Sequence, residues 1–181
     1  MKFNWIIVFA LLLGQVMVSQ NKFERKSKVD LEDFPEKAYA LLQPHIENAR
    51  RIQWYKEVDG TKQSYEVKFK KRKLHYSVEF DARGNLEDVE FNIKAVDIPE
   101  DSWMAIQKYL KSNYSDYKIK TMLQQYAMQA DVSEEQLLYN AFQNLILPDV
   151  QYGLEFTSKK SGKKQLIVGH FNSDGSLKLI Q

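Results

Sequence analysis

The stretch YEVKFKKRKLHYSVEFDARGNL, residues 65–86, decides the fold of this chain. Large apolar residues occupy every second position over 65–69 and again over 74–80, and charged or polar residues lie between them. This period of two is typical of β-strands that bury one face and expose the other. The basic residues between the two runs, and the Gly84-Asn85 pair after them, are suited to turns. The stretch therefore predicts an antiparallel meander.

The same elements recur later in the chain. Residues 171–177, FNSDGSL, share the pattern F-x-x-x-G-x-L with residues 80–86, FDARGNL. The triplet 98–100, IPE, matches 34–36, FPE, and in both places a proline opens a predicted amphipathic helix. Matching landmarks in the same order favour an internal duplication, and a chance match of short apolar patterns is the alternative.

The predicted fold class is α+β, with tandem helix-plus-four-strand repeats and an antiparallel sheet that has helices packed on one face. The first repeat covers residues 34–97 and the second covers 98–181. A capping-box pattern at Ser133, followed by apolar residues at helical spacing, predicts an inserted helix near 133–144 in the second repeat.

The first residues indicate export. Lys2 precedes a short apolar run, and small and polar residues follow at 19–20, as in a secretory signal peptide over 1–19. An uncleaved membrane anchor is the alternative, although the run is short for a span. Residues 20–33 are mostly charged or polar and predict a flexible leader. We therefore expect a periplasmic or secreted protein with no stable membrane insertion after signal cleavage.

Charge and composition exclude some classes of function. The formal net charge is only +2, which gives no global field for nucleic acid, so we expect no nucleic-acid partner. The chain has no cysteine, which removes thiol chemistry and iron–sulfur ligation. A length of 181 residues is enough to hold a core without disulfides.

The sequence contains no arrangement of residues that is typical of a catalytic or metal site. The three histidines, His45, His75 and His170, lack the spacing of a metal site, so we predict no metal and no cofactor. Outward carboxylates on neighbouring predicted strands, at Glu66, Glu79 and Glu90, could in principle do acid–base work. Because lysines share that face, solvated ion pairs are the favoured interpretation. We therefore predict no catalytic residues and no enzyme activity.

Two basic turns form the first candidate binding site. They could hold an anionic partner, or they could merely keep hairpin tips soluble. The residues are Lys70, Lys71, Arg72 and Lys73 in the first repeat, and Lys163 and Lys164 in the second.

An apolar patch on the second repeat's outer sheet face forms the other candidate. An exposed apolar patch usually marks an interface, and the alternative is that the inserted helix covers it. The residues are Leu166, Val168 and His170, joined by Met122, Tyr126 and Met128.

The pattern Y-E-V-x-F … Y-S-V-E-F-D-x-x-G-N, residues 65–85, resembles the exported bacterial PepSY-like proteins, whose fold is similar to the β-lactamase inhibitory protein (BLIP). The match is stronger over 33–95 than over 98–181. The resemblance implies two tandem α/β repeats with a curved antiparallel sheet against helices. It also implies a non-enzymatic binding or inhibitory role, and it brings no catalytic residue.

The leading hypothesis is an exported, non-catalytic and inhibitor-like binding module that uses a sheet face or the basic turns, with a protein or an anionic surface as partner. The alternative is a periplasmic small-ligand carrier with a pocket between sheet and helices, lined by Trp54, Trp103 and Tyr109. The oligomeric state stays open.

Overall fold

The computed structural model describes residues 24–114, 116–160 and 163–181. Within these ranges, nine antiparallel strands form one continuous sheet whose strand order is the order along the chain. The strands are β1 (Glu24–Val29), β2 (Arg50–Asp59), β3 (Lys62–Lys71), β4 (Leu74–Asp81), β5 (Leu86–Asn92), β6 (Tyr117–Ala127), β7 (Gln151–Lys160), β8 (Lys163–Asn172) and β9 (Leu177–Ile180). The helices are α1 (Glu36–Ile46), α2 (Glu100–Asn113) and α3 (Glu134–Phe142), and 3₁₀ turns lie at Leu31–Asp33 and Ala95–Asp97. The predicted α+β class with an antiparallel sheet is confirmed.

The apolar positions of the alternating strands lie on one face of the sheet. In the β3–β4 hairpin Tyr65 is opposite Phe80, and in the β7–β8 hairpin Tyr152 is opposite Phe171. All four side chains are buried in a single core, which also contains the inward residues of α1, α2 and α3. The helices therefore cover this face, and no helix of the described part of the chain lies on the opposite face of the sheet. We call the uncovered side the open face.

The two F-x-x-x-G-x-L turns have the same geometry. Gly84 and Gly175 have φ angles of 80° and 81°, which glycine adopts without a steric cost. Each glycine lies against the first turns of a helix: an added Cβ at Gly84 would be 3.2 Å from the Ala38 nitrogen, and one at Gly175 would be 2.2 Å from the Ser102 carbonyl oxygen. The glycines thus let each hairpin end approach α1 or α2 closely.

The structure differs from the sequence prediction at the N-terminal side of the sheet. The prediction of a flexible leader over 20–33 fails from Glu24 onward, because β1 pairs along its length with β2 as an edge strand. Charged residues are common in such strands, since they discourage edge-to-edge association. The predicted signal peptide, residues 1–19, lies outside the described residues.

The helix α3 occupies the range in which the sequence predicts an inserted helix. The Ser133 hydroxyl caps it by accepting a hydrogen bond from the Gln136 backbone nitrogen at 3.1 Å. None of the helices in the described ranges is long and apolar enough to span a membrane.

Candidate binding face of the sheet

The strand register divides the open face into a charged half and a less polar half. On β3–β5 the open face carries three carboxylates in line, because Glu66 is opposite Glu79 and Glu79 is opposite Asp88. Glu90 lies two residues along β5 from Asp88 on the same face. We call these four residues the acidic row. On β6–β9 the corresponding positions are mainly neutral.

Within the acidic row, Glu66 is the carboxylate with clear cationic partners. It is only 4% exposed, and it forms ion pairs with Lys26 of β1 and, at 3.3 Å, with Lys68. The Ser77 hydroxyl also donates a hydrogen bond to it. Burial opposes ionisation of Glu66, but these partners outweigh burial and lower its pKa. The sequence interpretation of solvated cross-strand ion pairs is only partly right: Lys68 pairs with Glu66, but along β3 itself and at a buried carboxylate, and Lys26 comes from the segment interpreted as a leader.

The other three carboxyl groups of the acidic row have raised pKa values, in contrast to Glu66. Burial and the neighbouring carboxylates raise the pKa of Asp88 to about 8 and that of Glu90 to about 7. Burial and Glu66 also raise the pKa of Glu79. Asp88 accepts a hydrogen bond from the Gln125 side-chain nitrogen at 3.1 Å. The sequence interpretation missed this state because it treated each outward carboxylate as solvated.

A largely apolar strip lies on the other half of the open face, with one charged residue beside it, Glu155 of β7, which is opposite Thr121 and Val168. Leu123, Gly153, His170 and Leu179 form one row across β6–β9, and Val168 and Leu166 continue it along β8. Leu166 is 62% exposed and Leu179 is 47% exposed. We call Leu123, Leu166, Val168, His170 and Leu179 the apolar strip. Gly153 has no side chain, so the surface dips between Leu123 and His170.

The outward orientation predicted for Leu166, Val168 and His170 agrees with this register. The alternative that the inserted helix covers them is excluded, because α3 packs on the opposite face, where Phe142 contacts Phe69 and Tyr76. Burial and Lys178 lower the pKa of His170. The sequence analysis missed Leu123 and Leu179, which the alternation of β6 and β9 could have indicated once the phase of each strand was known.

The prediction that Met122, Tyr126 and Met128 join the apolar patch is wrong. Tyr126 is 3% exposed, and both methionines are partly buried against the core. The physical reason is Gln124, a fully buried polar residue between Met122 and Tyr126 on the helix side of β6. Its side-chain nitrogen donates to the Tyr126 hydroxyl at 2.6 Å, and that hydroxyl donates to the Leu145 carbonyl at 2.7 Å. Because a polar residue occupies a core position, the alternation of apolar and polar residues in β6 does not show which face of the strand is buried.

The predicted basic turns lie at one end of the sheet but do not form one site. Four strand spacings separate the β3–β4 turn from the β7–β8 turn, or roughly 19 Å. Lys163 and Lys164 are exposed at the start of β8, and Arg72 and Lys73 form the loop between β3 and β4. Lys70 faces the open side opposite His75. Lys71 instead turns to the helices, where it donates to the His45 carbonyl and lies 5.1 Å from the Phe142 ring.

The open face contains a broad depression of about 730 Å³ over β2–β6. Its lining is mixed, with the cations Arg51, Lys68 and Lys70 at one side and the neutral groups Asn92 and Thr121 at the other. No cluster of three or more potential metal ligands occurs among the residues that the structure describes.

The three aromatic residues proposed to line a carrier pocket do not come together. Trp54 on β2 packs on Phe34 at 4.6 Å, whereas Tyr109 on α2 packs on Phe171 of β8 at 5.6 Å. Six strand spacings, or roughly 29 Å, separate β2 from β8. Trp103 lies beside Ile146 in a separate surface cavity of about 480 Å³. One pocket cannot be lined by all three.

This architecture is similar to solved structures of bacterial proteins. A BLIP-like protein of Bacteroides fragilis matches with a TM-score of 0.53 and 16% identity, over 82% of this chain and 86% of that chain. A DUF2874 family protein of Bacteroides ovatus matches with a TM-score of 0.56 and 11% identity, over 82% and 88%. A protein of Bacteroides eggerthii, described as predicted to be periplasmic, matches with a TM-score of 0.53 and 14% identity, over 81% and 87%.

At these identities the matches establish the fold alone. The BLIP-like part of the sequence resemblance is thereby confirmed as a fold. No protein-family model matches the sequence, and no curated protein is significantly similar to it. The PepSY-like part of the resemblance stays a prediction.

Proposed function

We propose that this chain is an exported, non-catalytic binding module that captures a protein partner on the apolar strip. The observation that carries the proposal is the 62% exposure of Leu166 on a sheet face that no described helix covers. Exposed leucines beside Val168 and Leu123 give a partner apolar area to bury, at about 25 cal/mol per Å². The half-buried His170 side chain and the depression at Gly153 make this apolar surface uneven, so that a partner needs a complementary shape to pack on it.

Export to the periplasm is part of the same proposal. The N-terminal pattern of a charged residue, an apolar run and a polar segment supports it. The Bacteroides eggerthii protein described as predicted to be periplasmic has the same fold, which agrees with that address. The Bacteroides fragilis protein is described as BLIP-like, and this supports an inhibitor-like role in which the module occupies a surface of its partner.

The proposal also includes an internal duplication. The two turns support it through their equal φ angles and equivalent hydrogen bonds: Gly84 donates to Asp81 at 3.0 Å and Gly175 donates to Asn172 at 2.9 Å. In both units a register shift lies immediately before the phenylalanine of the motif, between Glu79 and Phe80 and between His170 and Phe171. Each unit begins with a helix that precedes its strands, which also supports the duplication. On this proposal the second unit acquired the binding residues after the duplication.

A pair of variants with matched exposure tests the binding face. Leu166→Asp places a charge in the apolar strip and should weaken capture of the partner by about tenfold or more, because an unpaired charge loses its water at the interface. Ile146→Asp, at a residue that is 56% exposed but outside the open face, should leave capture unchanged. Circular dichroism checks that both variants are folded.

Site-specific photo-cross-linking in the source cells provides the measurement. A photoreactive residue at position 166 should give a discrete cross-linked protein that mass spectrometry identifies and that Leu123→Asp abolishes. The same residue at position 146 should not give this product. Identical products from both positions would overturn the proposal, and so would unfolding of Leu166→Asp, since Leu166 would then be a core residue.

A further inference from the structure

A second feature of the surface lies where the connection after α1 meets the β3–β4 turn. A cavity of about 460 Å³ there is lined by Asn48, Arg50, Arg51, Lys70 and Arg72. We call it the basic cleft. Four of its five residues are cations, and none of its lining residues is acidic. It shares Arg51 and Lys70 with the broad depression of the open face.

A β-bulge brings the first two arginines to this cleft. Arg50 is opposite Lys70 and Gln53 is opposite Lys68, so that Arg51 and Ile52 together face the single residue Phe69. Such an extra residue bends the strand and redirects its side chains. It also places Arg50 and Lys70, two like charges, directly across from each other, which is unfavourable unless an anion lies between them.

The backbone of the cleft is strained at two of its cations. Arg51 has a φ of 58° and Arg72 has a φ of 54°, a region that non-glycine residues rarely adopt. Glycine or asparagine would occupy both positions with less steric conflict. Arg72 takes this conformation in the two-residue turn between β3 and β4, and Arg51 takes it in the bulge of β2, so both irregularities place a guanidinium at the cleft.

The cations of the cleft also lack internal counter-charges. Among the described residues, ion pairs to carboxylates involve Lys26, Lys37, Lys62, Lys68 and Lys159, and no lysine or arginine of the basic cleft. Burial and the charge of Arg72 lower the pKa of the neighbouring Lys71. Among the described residues, the cations of the cleft thus form no direct ion pair with a carboxylate.

We propose that the basic cleft binds a phosphate or sulfate ester of a saccharide. Guanidinium groups match the oxygens of phosphate and sulfate with paired N–H donors, and the three terminal oxygens of either ester can use more of the donors of three arginines than the two oxygens of a carboxylate. The adjoining depression presents hydrogen-bonding groups on Gln53, Asn92 and Thr121, and it is also lined by Glu66 and Glu90, whose carboxyl oxygens can accept hydrogen bonds from the hydroxyl groups of a sugar. The inference does not depend on the proposed function, because the cleft lies on β2–β4 and the apolar strip lies on β6–β9.

Calorimetric titration of the full chain tests the inference with three probes: inorganic pyrophosphate, glucose 6-phosphate and a sulfated disaccharide. We expect saturable, one-to-one binding, with at least one of the two saccharide esters binding more tightly than pyrophosphate. The double variant Arg51→Gly/Arg72→Gly should weaken ester binding by about tenfold or more, since it removes charge-assisted hydrogen bonds. The same variant should melt no lower than the wild type, because glycine relieves both positive φ angles.

A matched variant at the other basic turn provides the control. Lys163→Gly/Lys164→Gly removes the same charge and should leave ester binding unchanged. Equal weakening by the two double variants would overturn the inference in favour of non-specific charge attraction, and so would the absence of saturable binding to every probe. If the glycine pair unfolds the chain, Arg50→Gln makes the same test with the backbone unchanged. Leu166→Asp should not alter ester binding, which separates this site from the partner face.

Discussion

Glu79 on β4 lies directly opposite Asp88 on β5, and Glu66 lies opposite Glu79 on its other side. Three carboxyl side chains thus occupy consecutive cross-strand positions of one sheet face. Like charges in this arrangement destabilise a sheet. The folded chain reduces the repulsion by pairing Glu66 with Lys26 and Lys68 and by raising the pKa values of the other two groups.

The stability of the chain should therefore fall as the pH rises from about 5 to about 8. The folded pKa of Asp88 is raised from 3.8 to about 8, and that of Glu90 from 4.5 to about 7, so the folded state binds more protons than the unfolded state in this window. The stabilisation is complete below the unfolded pKa values and is lost as the pH passes the folded ones. Urea unfolding at a series of pH values measures the slope.

The variant Asp88→Asn isolates this effect. Its stabilising effect should grow from pH 4 to pH 8 and reach on the order of 1 kcal/mol or more at pH 8, because the unfolded wild-type carboxyl gains free energy by ionising over this range and an amide cannot. Asp101→Asn, at an exposed position of α2, should leave the pH dependence as it is. A stability that is independent of pH in the wild type would contradict the raised pKa values.

Removal of Lys26 should destabilise the edge of the sheet. Lys26→Ala takes a cation from the buried Glu66, and we expect a loss of about 2 kcal/mol at pH 7, because a buried carboxylate loses one of its partners. The pKa of Glu66 is lowered in the wild type and should rise in the variant. Ionised Glu66 then contributes less to the free energy of unfolding at neutral pH, so less stability is lost when the chain is acidified. Chemical denaturation and hydrogen exchange of β1 measure both effects. Lys62→Ala, which breaks a solvent-exposed pair with Glu87, should cost only about 0.5 kcal/mol.

Three glycines with similar positive φ angles should respond very differently to alanine. At Gly175 the added Cβ would collide with the Ser102 carbonyl oxygen at 2.2 Å, and we expect a loss of about 3 kcal/mol or more. At Gly84 the nearest atoms are at 3.0 and 3.2 Å, so about 2 kcal/mol is expected. Gly60 has no atom within 4 Å and should show only the backbone cost of about 1 kcal/mol. Thermal unfolding of the three variants gives the order, and equal losses would contradict the close packing of the turns on α1 and α2.

The buried position of Tyr126 can be tested through its hydroxyl. Tyr126→Phe leaves the Gln124 side-chain nitrogen and the Leu145 carbonyl without their partner, which should cost about 2 kcal/mol. Tyr139→Phe, on the exposed side of α3, should be nearly neutral. If Tyr126 belonged to the partner face, its variant would instead keep full stability and reduce capture of the partner.

The meander was predictable because its strands have an unbroken period of two. Over 65–80 the inward residues predicted from the sequence are buried, apart from the partly buried Leu74, and the F-x-x-x-G-x-L motif locates two turns whose glycines have positive φ. The outward orientation of Leu166 and Val168 followed from aligning Phe171 with Phe80. In each case one local pattern contained all the necessary information.

The elements that escaped prediction depend on interactions between distant residues. β1 has no apolar alternation, and it is held by backbone pairing with β2, which composition does not reveal. The bulge at Arg51 interrupts the alternation of β2, and Ile52 next to it is 36% exposed. The buried Gln124 conceals the inward face of β6, because a hydrogen bond from its side-chain nitrogen to the Tyr126 hydroxyl helps to hold a polar residue in the core. The basic cleft combines the α1–β2 connection with the β3–β4 turn, and no sequence motif joins them.

The strand order of the sheet bears on how the chain acquires its structure. Since every strand hydrogen-bonds only with the strands immediately before and after it in the chain, each hairpin can close as soon as its second strand is available. During synthesis, which proceeds from the amino terminus, each new strand can therefore pair with the strand that precedes it in the chain, before the later strands have been made. Within the described sheet, strand pairing therefore never requires two strands that are distant in strand order.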